Sequence, residues 1–315
     1  MSISFSLKVN LNIYLYNFSH NIKKVDNELE KYLTDPDEKN IHDIRTSLRR
    51  LEAAYISSPK RMRKIKNLKD FADVGKQLFK INSEIRNVDI ILEKLSNEGK
   101  TPIEQFKMFE KSLKTDRKAK LDNARLCALK LRNINIPKIK DKDNDKDLED
   151  KVIKRLNKTI RKFSKRMIKN IPIVIAYIDQ VEELHKLRKD SKKMRYLLEL
   201  LIEKDKKKSD KDDTDNEKND NDNSASNMND QKILQTIEIL EQIQNMLGNI
   251  HDYDITIDYI KLQKDEIIDS PVLENITTIR KKKYKEFVNY FKTDLLDKDN
   301  VLYDVIMRKS IFSHN

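Results

Sequence analysis

Apolar residues recur along most of the chain at spacings of three and four, the pattern of one buried face of an α-helix. This pattern predicts helices at 9–33, 40–57, 61–97 with a break near Gly75, 102–133, 149–170, 172–204, 231–262, 271–296 and 299–312. The six prolines fall between these segments or at their first residue, where they would end helices rather than kink them. Few runs alternate apolar and polar residues with the period of a β-strand, so the sequence predicts an all-α fold.

Two stretches lack the apolar residues that a folded core needs. Residues 138–150 form a predicted polar linker, and residues 204–230 form a low-complexity insert that is predicted to be disordered. They separate a predicted N-terminal helical bundle half, residues 1–137, from a predicted C-terminal half, residues 151–315.

A motif of one histidine and three basic residues occurs once in each half. The two copies are His42, Arg45, Arg49 and Arg50, and His185, Arg188, Lys192 and Lys193. The two histidines lie 143 residues apart, whereas the later counterparts Arg86 and His251 lie 165 residues apart. The difference is about the length of the insert, which lies between the motifs of the second half only. The spacing therefore indicates a duplication followed by an insertion.

On a helix, the histidine and the basic residues of each copy lie on one face, beside an apolar face that a bundle would bury. Such a face suits a phosphate group, because arginine offers it a planar fork of donors. Lysine and arginine stripes on other helices add candidates, although such a stripe is also the ordinary solvated face of a bundle helix. The further candidate ligands are Arg86, Lys114, Lys118, Arg125, Lys158, Lys165, Arg195 and Arg280.

Composition narrows the choice of function. The net charge of +12 favours an anionic partner. Three glycines are too few for a P-loop or a GxGxxG turn. The single cysteine, Cys127, excludes an internal disulfide and a cysteine-based zinc site and predicts a reducing compartment. We find no apolar run long enough for a membrane span and no secretory signal, and therefore expect a cytoplasmic protein.

Three alternatives stay open from the residues alone. Nucleic acid would also suit a basic surface, but tryptophan is absent and aromatic residues do not alternate with the basic faces. A metal site would need clustered ligands, and the pairs Asp89–Glu93 and Asp254–Asp258 are predicted instead to orient basic side chains. A metal-dependent phosphohydrolase would need several carboxylates around the metal, and the sequence offers only isolated His-Asp pairs.

The motifs resemble those of the CHAD family, the conserved histidine α-helical domain. The family pattern H-x-x-R-x-x-x-R-R-L-R is matched from His42 to Leu51, with Glu52 in place of the last arginine. The pattern L-H-x-L-R-x-x-x-K-x-x-R-Y is matched from Leu184 to Tyr196. Residues 244–252 resemble the later family segment L-Q-x-x-L-G-x-x-x-D.

The resemblance implies duplicated four-helix bundles with pseudo-two-fold symmetry around a basic central groove or pore. It also implies non-catalytic binding of inorganic polyphosphate, with no cofactor, and we expect association with polyphosphate granules in the cytoplasm. General polyanion or nucleic-acid binding and a metal-dependent phosphohydrolase are the alternatives. Protonation of His42 and His185 below neutral pH would tighten binding mildly on acidification.

Overall fold

The structure is a computed structural model, and it describes residues 9–97, 103–139, 145–203, 223–262 and 271–295. All regular structure within these ranges is helical, which confirms the all-α prediction. The helices are α1 (Leu11–Thr34), α2 (Glu38–Ser57), α3 (Lys60–Arg63), α4 (Leu68–Asn97), α5 (Ile103–Arg132), α6 (Lys146–Ala176), α7 (Val181–Leu198), α8 (Asn223–Leu262) and α9 (Pro271–Tyr290). A 3-10 turn, Glu199–Leu201, follows α7, and a π-helical turn, Phe291–Leu295, follows α9.

Neighbouring helices in the chain pack against one another. In the first half α1 contacts α2, α2 contacts α4, and α4 contacts α5. In the second half α6 contacts α7, α7 contacts α8, and α8 contacts α9. The halves meet where α2 packs against α7 and α4 packs against α8. The two helices that carry the histidine motifs therefore lie side by side.

Buried apolar side chains hold the two halves together. Ile44 of α2 and Leu187 of α7 belong to one core cluster. Val88 of α4 and Tyr253 of α8 belong to a second cluster. Because these side chains exclude water from both contacts between the halves, the hydrophobic effect stabilises the arrangement of α2, α4, α7 and α8.

The predicted helix 61–97 is interrupted before α4 begins, and not near Gly75. Asn67, just before α4, has a φ of 65°, a left-handed conformation that asparagine adopts more readily than most residues. Gly75 lies inside α4, where a Cβ atom would lie only 2.9 Å from Leu48 Cδ2 on α2. This glycine therefore permits a close approach of two helices and does not end one.

The predicted helix end at Pro172 is wrong. Helix α6 continues through Pro172 to Ala176, and the break before α7 falls at residues 177–180. A proline removes one backbone hydrogen bond from a helix. The neighbouring residues Ile171 and Val174 are buried in the core, and their burial offsets that loss.

Parts of three predicted segments lie outside the described residues. They are residues 140–144 of the linker, 204–222 of the insert and the whole helix 299–312. Residues 146–150 of the predicted linker begin α6, and residues 223–230 of the predicted insert begin α8. The division into halves at residues 137 and 151 stays a prediction. Among the described helices, none has the length and apolar character needed to cross a membrane.

Candidate anion-binding site

Helix α2 presents two arginines beside its buried face. Asp37 caps the helix, its side chain accepting a hydrogen bond from the backbone N–H of Asn40 at 2.6 Å. Ile44 is buried against the core, and Arg45 and Arg49 are half-buried on the neighbouring face. The positive charge of Arg188 in α7 helps to lower the pKa of Arg45. This face of α2 is therefore directed toward the second half.

Helix α7 presents the matching residues of the second copy. Leu187 and Met194 are buried, and Arg188 and Lys192 are half-buried. A Cβ atom on Gly248 of α8 would lie 3.8 Å from the Arg188 Nε atom. This distance is an ordinary van der Waals contact, so the Arg188 guanidinium lies close to α8 at Gly248.

Four of the predicted ligands form one group, which we call the cation cluster: Arg45, Arg49, Arg188 and Lys192. Helices α2 and α7 each contribute two of these cations. The negative charge of Asp252 in α8 favours the charged forms of Arg45, Arg188 and Lys192. The structure therefore brings these four basic residues of the two motif copies together, with Asp252 close to three of them.

The cations of the cluster destabilise one another's charges. Burial and the charges of Arg49, Arg188 and Arg45 lower the pKa of Lys192 to about 6. Burial and neighbouring arginines lower the pKa of Arg45 to about 9. Burial is also the main cause of the lowered pKa of Arg188, which is about 10. A bound anion would offset this repulsion, because it would place negative charge among the cations.

Several hydrogen-bond donors of the cluster are unused. The Nε atoms of Arg45 and Arg188 are buried and have no hydrogen-bond partner in the structure. A buried donor without a partner costs free energy of folding, so a ligand oxygen that accepts from it would be favoured. An oxyanion bound here would therefore gain both the positive charge of the cluster and these unused hydrogen-bond donors.

Two imidazoles from different helices meet beside the cluster. The ring centroids of His185 and His251 are 4.4 Å apart. Burial and nearby cations lower the pKa of His185 to about 4 and that of His251 to about 3. Partial burial also lowers the pKa of the His42 imidazole, although His42 as a whole is exposed at the surface. His185 is therefore neutral near pH 6, and the expected tightening on acidification does not come from its protonation in the free protein.

Three other predicted ligands on the same two helices are paired with acids. We call this group the paired end: Arg50, Lys193 and Arg195 with Glu52, Glu199 and Glu241. Arg50 Nε lies 2.9 Å from Glu199 Oε2, and Arg195 Nη1 lies 2.7 Å from Glu241 Oε1. Lys193 Nζ lies 3.6 Å from Glu52 Oε1, the residue that stands where the resemblance expects arginine. These cations already have carboxylate partners within the protein.

Five of the remaining predicted ligands lie apart from the cluster, and Arg86 borders it. The five on α5 and α6 are exposed: Lys114, Lys118, Arg125, Lys158 and Lys165. Lys114 Nζ lies 2.7 Å from the Glu110 carboxylate. Arg86 of α4 is half-buried and pairs with Glu38 and Glu93. The structure does not bring the five exposed residues into the group formed by Arg45 and Arg188, whereas the charge of Arg86 lowers the pKa of Arg45 and acts on Asp252.

Arg280 is held by the protein itself. Its Nε atom lies 2.8 Å from Asp254 Oδ1, and its Nη1 atom donates to the backbone oxygen of Ile178 at 2.7 Å. The side chains of Arg280 and Asp254 are only 6% and 8% exposed. Arg117 Nε likewise lies 2.6 Å from Asp89 Oδ1. The prediction that these carboxylates orient basic side chains is confirmed for Asp89, Glu93 and Asp254, and for Asp258 it stays a prediction.

Replacing Arg280 with methionine should destabilise the protein by about 3 kcal/mol at pH 7, because Asp254 would stay buried without its partner. Urea unfolding followed by circular dichroism measures this loss. Arg132→Met, which breaks an exposed ion pair with Glu30, is the control and should cost less than about 1 kcal/mol. A small loss of stability together with a large loss of anion binding would instead make Arg280 a ligand contact.

Comparison with known proteins identifies the family. The sequence model of the CHAD domain matches residues 18–209, more than half of the chain. The chain belongs to the CHAD family. The crystal structure of the CHAD domain from the plant Ricinus communis aligns with 98% of this chain and 95% of that chain, at 12% identity and a TM-score of 0.47. No curated protein matches the sequence.

Sequence reasoning missed three residues at the centre of this CHAD protein. His251 stood opposite Arg86 in the repeat, and that position was the available signal for its role. The sequence presents Asp252 as part of an isolated His-Asp pair, although it also matches the aspartate of a family segment. Phe79, whose ring centroid lies 4.9 Å from Arg49 Cζ, belongs to no motif, so only the packing of α4 against α2 reveals it.

Proposed function

We propose that this CHAD protein binds linear inorganic polyphosphate at the cation cluster and does not react with it. The observation that carries the proposal is the convergence of Arg45, Arg49, Arg188 and Lys192 from two helices into one group that includes Asp252. A flexible chain of phosphates offers dense negative charge and no base edges to read. Charge-assisted hydrogen bonds and counterion release would then supply most of the affinity.

We also infer that the site lies between two duplicated bundles related by a pseudo-two-fold axis. The helix contacts support this inference, because the order α1–α2–α4–α5 in the first half has its counterpart in α6–α7–α8–α9. The halves meet through equivalent helices, α2 with α7 and α4 with α8. The two motif copies would thus form the two sides of one basic groove.

The aromatic residues near the cluster favour polyphosphate over nucleic acid. Arg49 Cζ lies 4.9 Å from the Phe79 ring centroid, and Arg195 Cζ lies 4.9 Å from that of Tyr196. These rings already contact guanidinium groups, whereas single-stranded nucleic acid needs aromatic faces on which its bases can stack. General polyanion binding is the second candidate, since charge alone would attract it.

The charges at the site favour binding over catalysis. A metal-dependent phosphohydrolase gathers acids around a divalent cation. Here Asp252 faces cations that would repel such an ion. In the described ranges, no group of three or more His, Cys, Asp or Glu residues is arranged to hold a metal. Shortening of polyphosphate during incubation with the protein, Mg²⁺ and nucleotide would support the enzyme alternative.

Long-chain polyphosphate should bind much more tightly than orthophosphate or single-stranded DNA of equal charge. The four cluster cations predict a slope of log affinity against log salt of about −3, or roughly a 50-fold loss between 50 and 200 mM salt. Fluorescence competition with each anion at several salt concentrations measures both quantities. Equal affinity for DNA and polyphosphate would replace the proposal with general polyanion binding.

A further inference from the structure

The cations on α2 and α7 change from unpaired to paired along the two helices. Arg45 acts on Arg188, and one turn later Arg49 acts on Lys192. The next contact joins Glu52 of α2 to Lys193 of α7. On both helices the paired residues follow the cluster residues in sequence, and they contact one another across the interface. The cation cluster therefore has the paired end on its C-terminal side.

The paired end is tied together across both halves. Glu199, which follows α7, contacts Arg50 of α2 at 2.9 Å and Arg195 of α7 at 3.6 Å. The side chains of Glu199 and Arg195 are each 12% exposed, so these charges are poorly hydrated and weakly screened. A phosphate chain that continued past Arg49 would meet carboxylates and would have to displace these ion pairs.

We propose that the paired end closes one side of the site, so that the protein holds the terminal phosphates of a linear polyphosphate and does not let the chain pass through. This inference rests on the proposed function. Glu52 and Glu199 act by holding the neighbouring cations in ion pairs, so a phosphate chain would have to displace these acids before it gained any further cation. The paired end has no excess of positive charge that would attract a further phosphate, because its three cations are matched by three acids.

Polyphosphates with blocked ends test this closure. One defined chain length is prepared with free ends, with one bulky amide-linked end group, and with such groups on both ends. The wild-type protein should bind the singly blocked chain nearly as well as the free chain, and the doubly blocked chain at least about tenfold more weakly. Fluorescence anisotropy competition measures the three affinities.

Glu52→Gln with Glu199→Gln should open the paired end and reduce the penalty of the second end group to less than about threefold. Glu30→Gln with Glu110→Gln is the matched control, since it removes two acids that pair with Arg132 and Lys114 away from the site. This control should keep the wild-type ratio. Circular dichroism checks that each variant folds, and the wild-type comparison decides the question even if one does not.

The outcomes separate this inference from the proposed function. Wild-type protein that binds free and doubly blocked chains equally well would overturn closure and leave polyphosphate binding intact. Wild-type protein that binds none of the chains would overturn the proposed function itself. If the penalty persists in a folded Glu52→Gln, Glu199→Gln variant, these two acids do not close the site.

Discussion

Glutamine at both Arg45 and Arg188 should weaken polyphosphate binding by more than about 100-fold while the protein stays folded. Each hydrogen bond between a guanidinium and a phosphate contributes about 1.5–3 kcal/mol. Losing one on each side of the site therefore removes about 3–6 kcal/mol of binding free energy, which exceeds a factor of one hundred. Isothermal titration calorimetry of the double variant measures the loss.

The same double variant should be at least as stable as the wild-type protein without ligand. Arg45 and Arg188 are half-buried, and each repels other cations of the cluster. Replacing them with neutral side chains removes that repulsion, and Asp252, which loses the attraction of Arg188, keeps the nearby positive charges of Arg86 and Lys94. The free energy of unfolding in urea should therefore stay unchanged or rise, which separates a loss of ligand contacts from a loss of fold.

Lys158→Gln with Lys165→Gln is the matched control for this experiment. It also removes two positive charges, and both lysines are predicted ligands, but they lie exposed on α6. Screening makes distant exposed charges weak contributors, so we expect less than about a threefold change in affinity. An equal loss in the control, or normal binding by the Arg45 and Arg188 variant, would contradict a site at the cation cluster.

Asp252 offers a test in the opposite direction. Its carboxylate offsets the charges of Arg188 and Lys192 in the free protein, and it would repel a bound phosphate. Asp252→Asn should therefore raise the affinity for polyphosphate while lowering the free energy of unfolding. A decrease in affinity would mean that Asp252 positions the arginines and that this role outweighs its repulsion.

The helical fold and the central residues could be predicted because two copies of one pattern repeat across the chain. Periodicity alone assigns His185, Arg188 and Lys192 to one face of a helix, and the first motif predicts the same for Arg45. What periodicity leaves out is the partner of each charge. The acids Glu199 and Glu241 pair with predicted ligands, and only the packing of α2, α7 and α8 brings them together.

The differences in helix limits have a similar cause. Proline and glycine are strong local signals, yet Pro172 and Gly75 both lie inside helices of this protein. Their local preferences are outweighed by tertiary packing, the burial of Ile171 and Val174 in one case and the close approach of Leu48 in the other. Local sequence does not contain these contacts, because their partners lie elsewhere in the chain.

Polyphosphate affinity should be highest below about pH 6 and should fall as the pH rises above it, because binding recharges Lys192. The free protein holds the pKa of this amine at about 6, since it is buried beside Arg49, Arg188 and Arg45. A phosphate chain would raise that pKa. Below the free pKa the amine is charged in both states and affinity is constant. Above it, binding requires proton uptake and weakens with each pH unit.

Calorimetry at pH 7 in two buffers of different ionisation enthalpy measures the proton uptake directly. Only about one tenth of Lys192 is protonated at pH 7 if its pKa is about 6, so binding should take up most of one proton. Lys192→Arg keeps the charge at every pH used and should remove most of this uptake. The terminal phosphates of the ligand would still titrate in the Lys192→Arg variant. An unchanged pH dependence of binding in this variant would therefore assign the proton uptake to the ligand and contradict a role for Lys192.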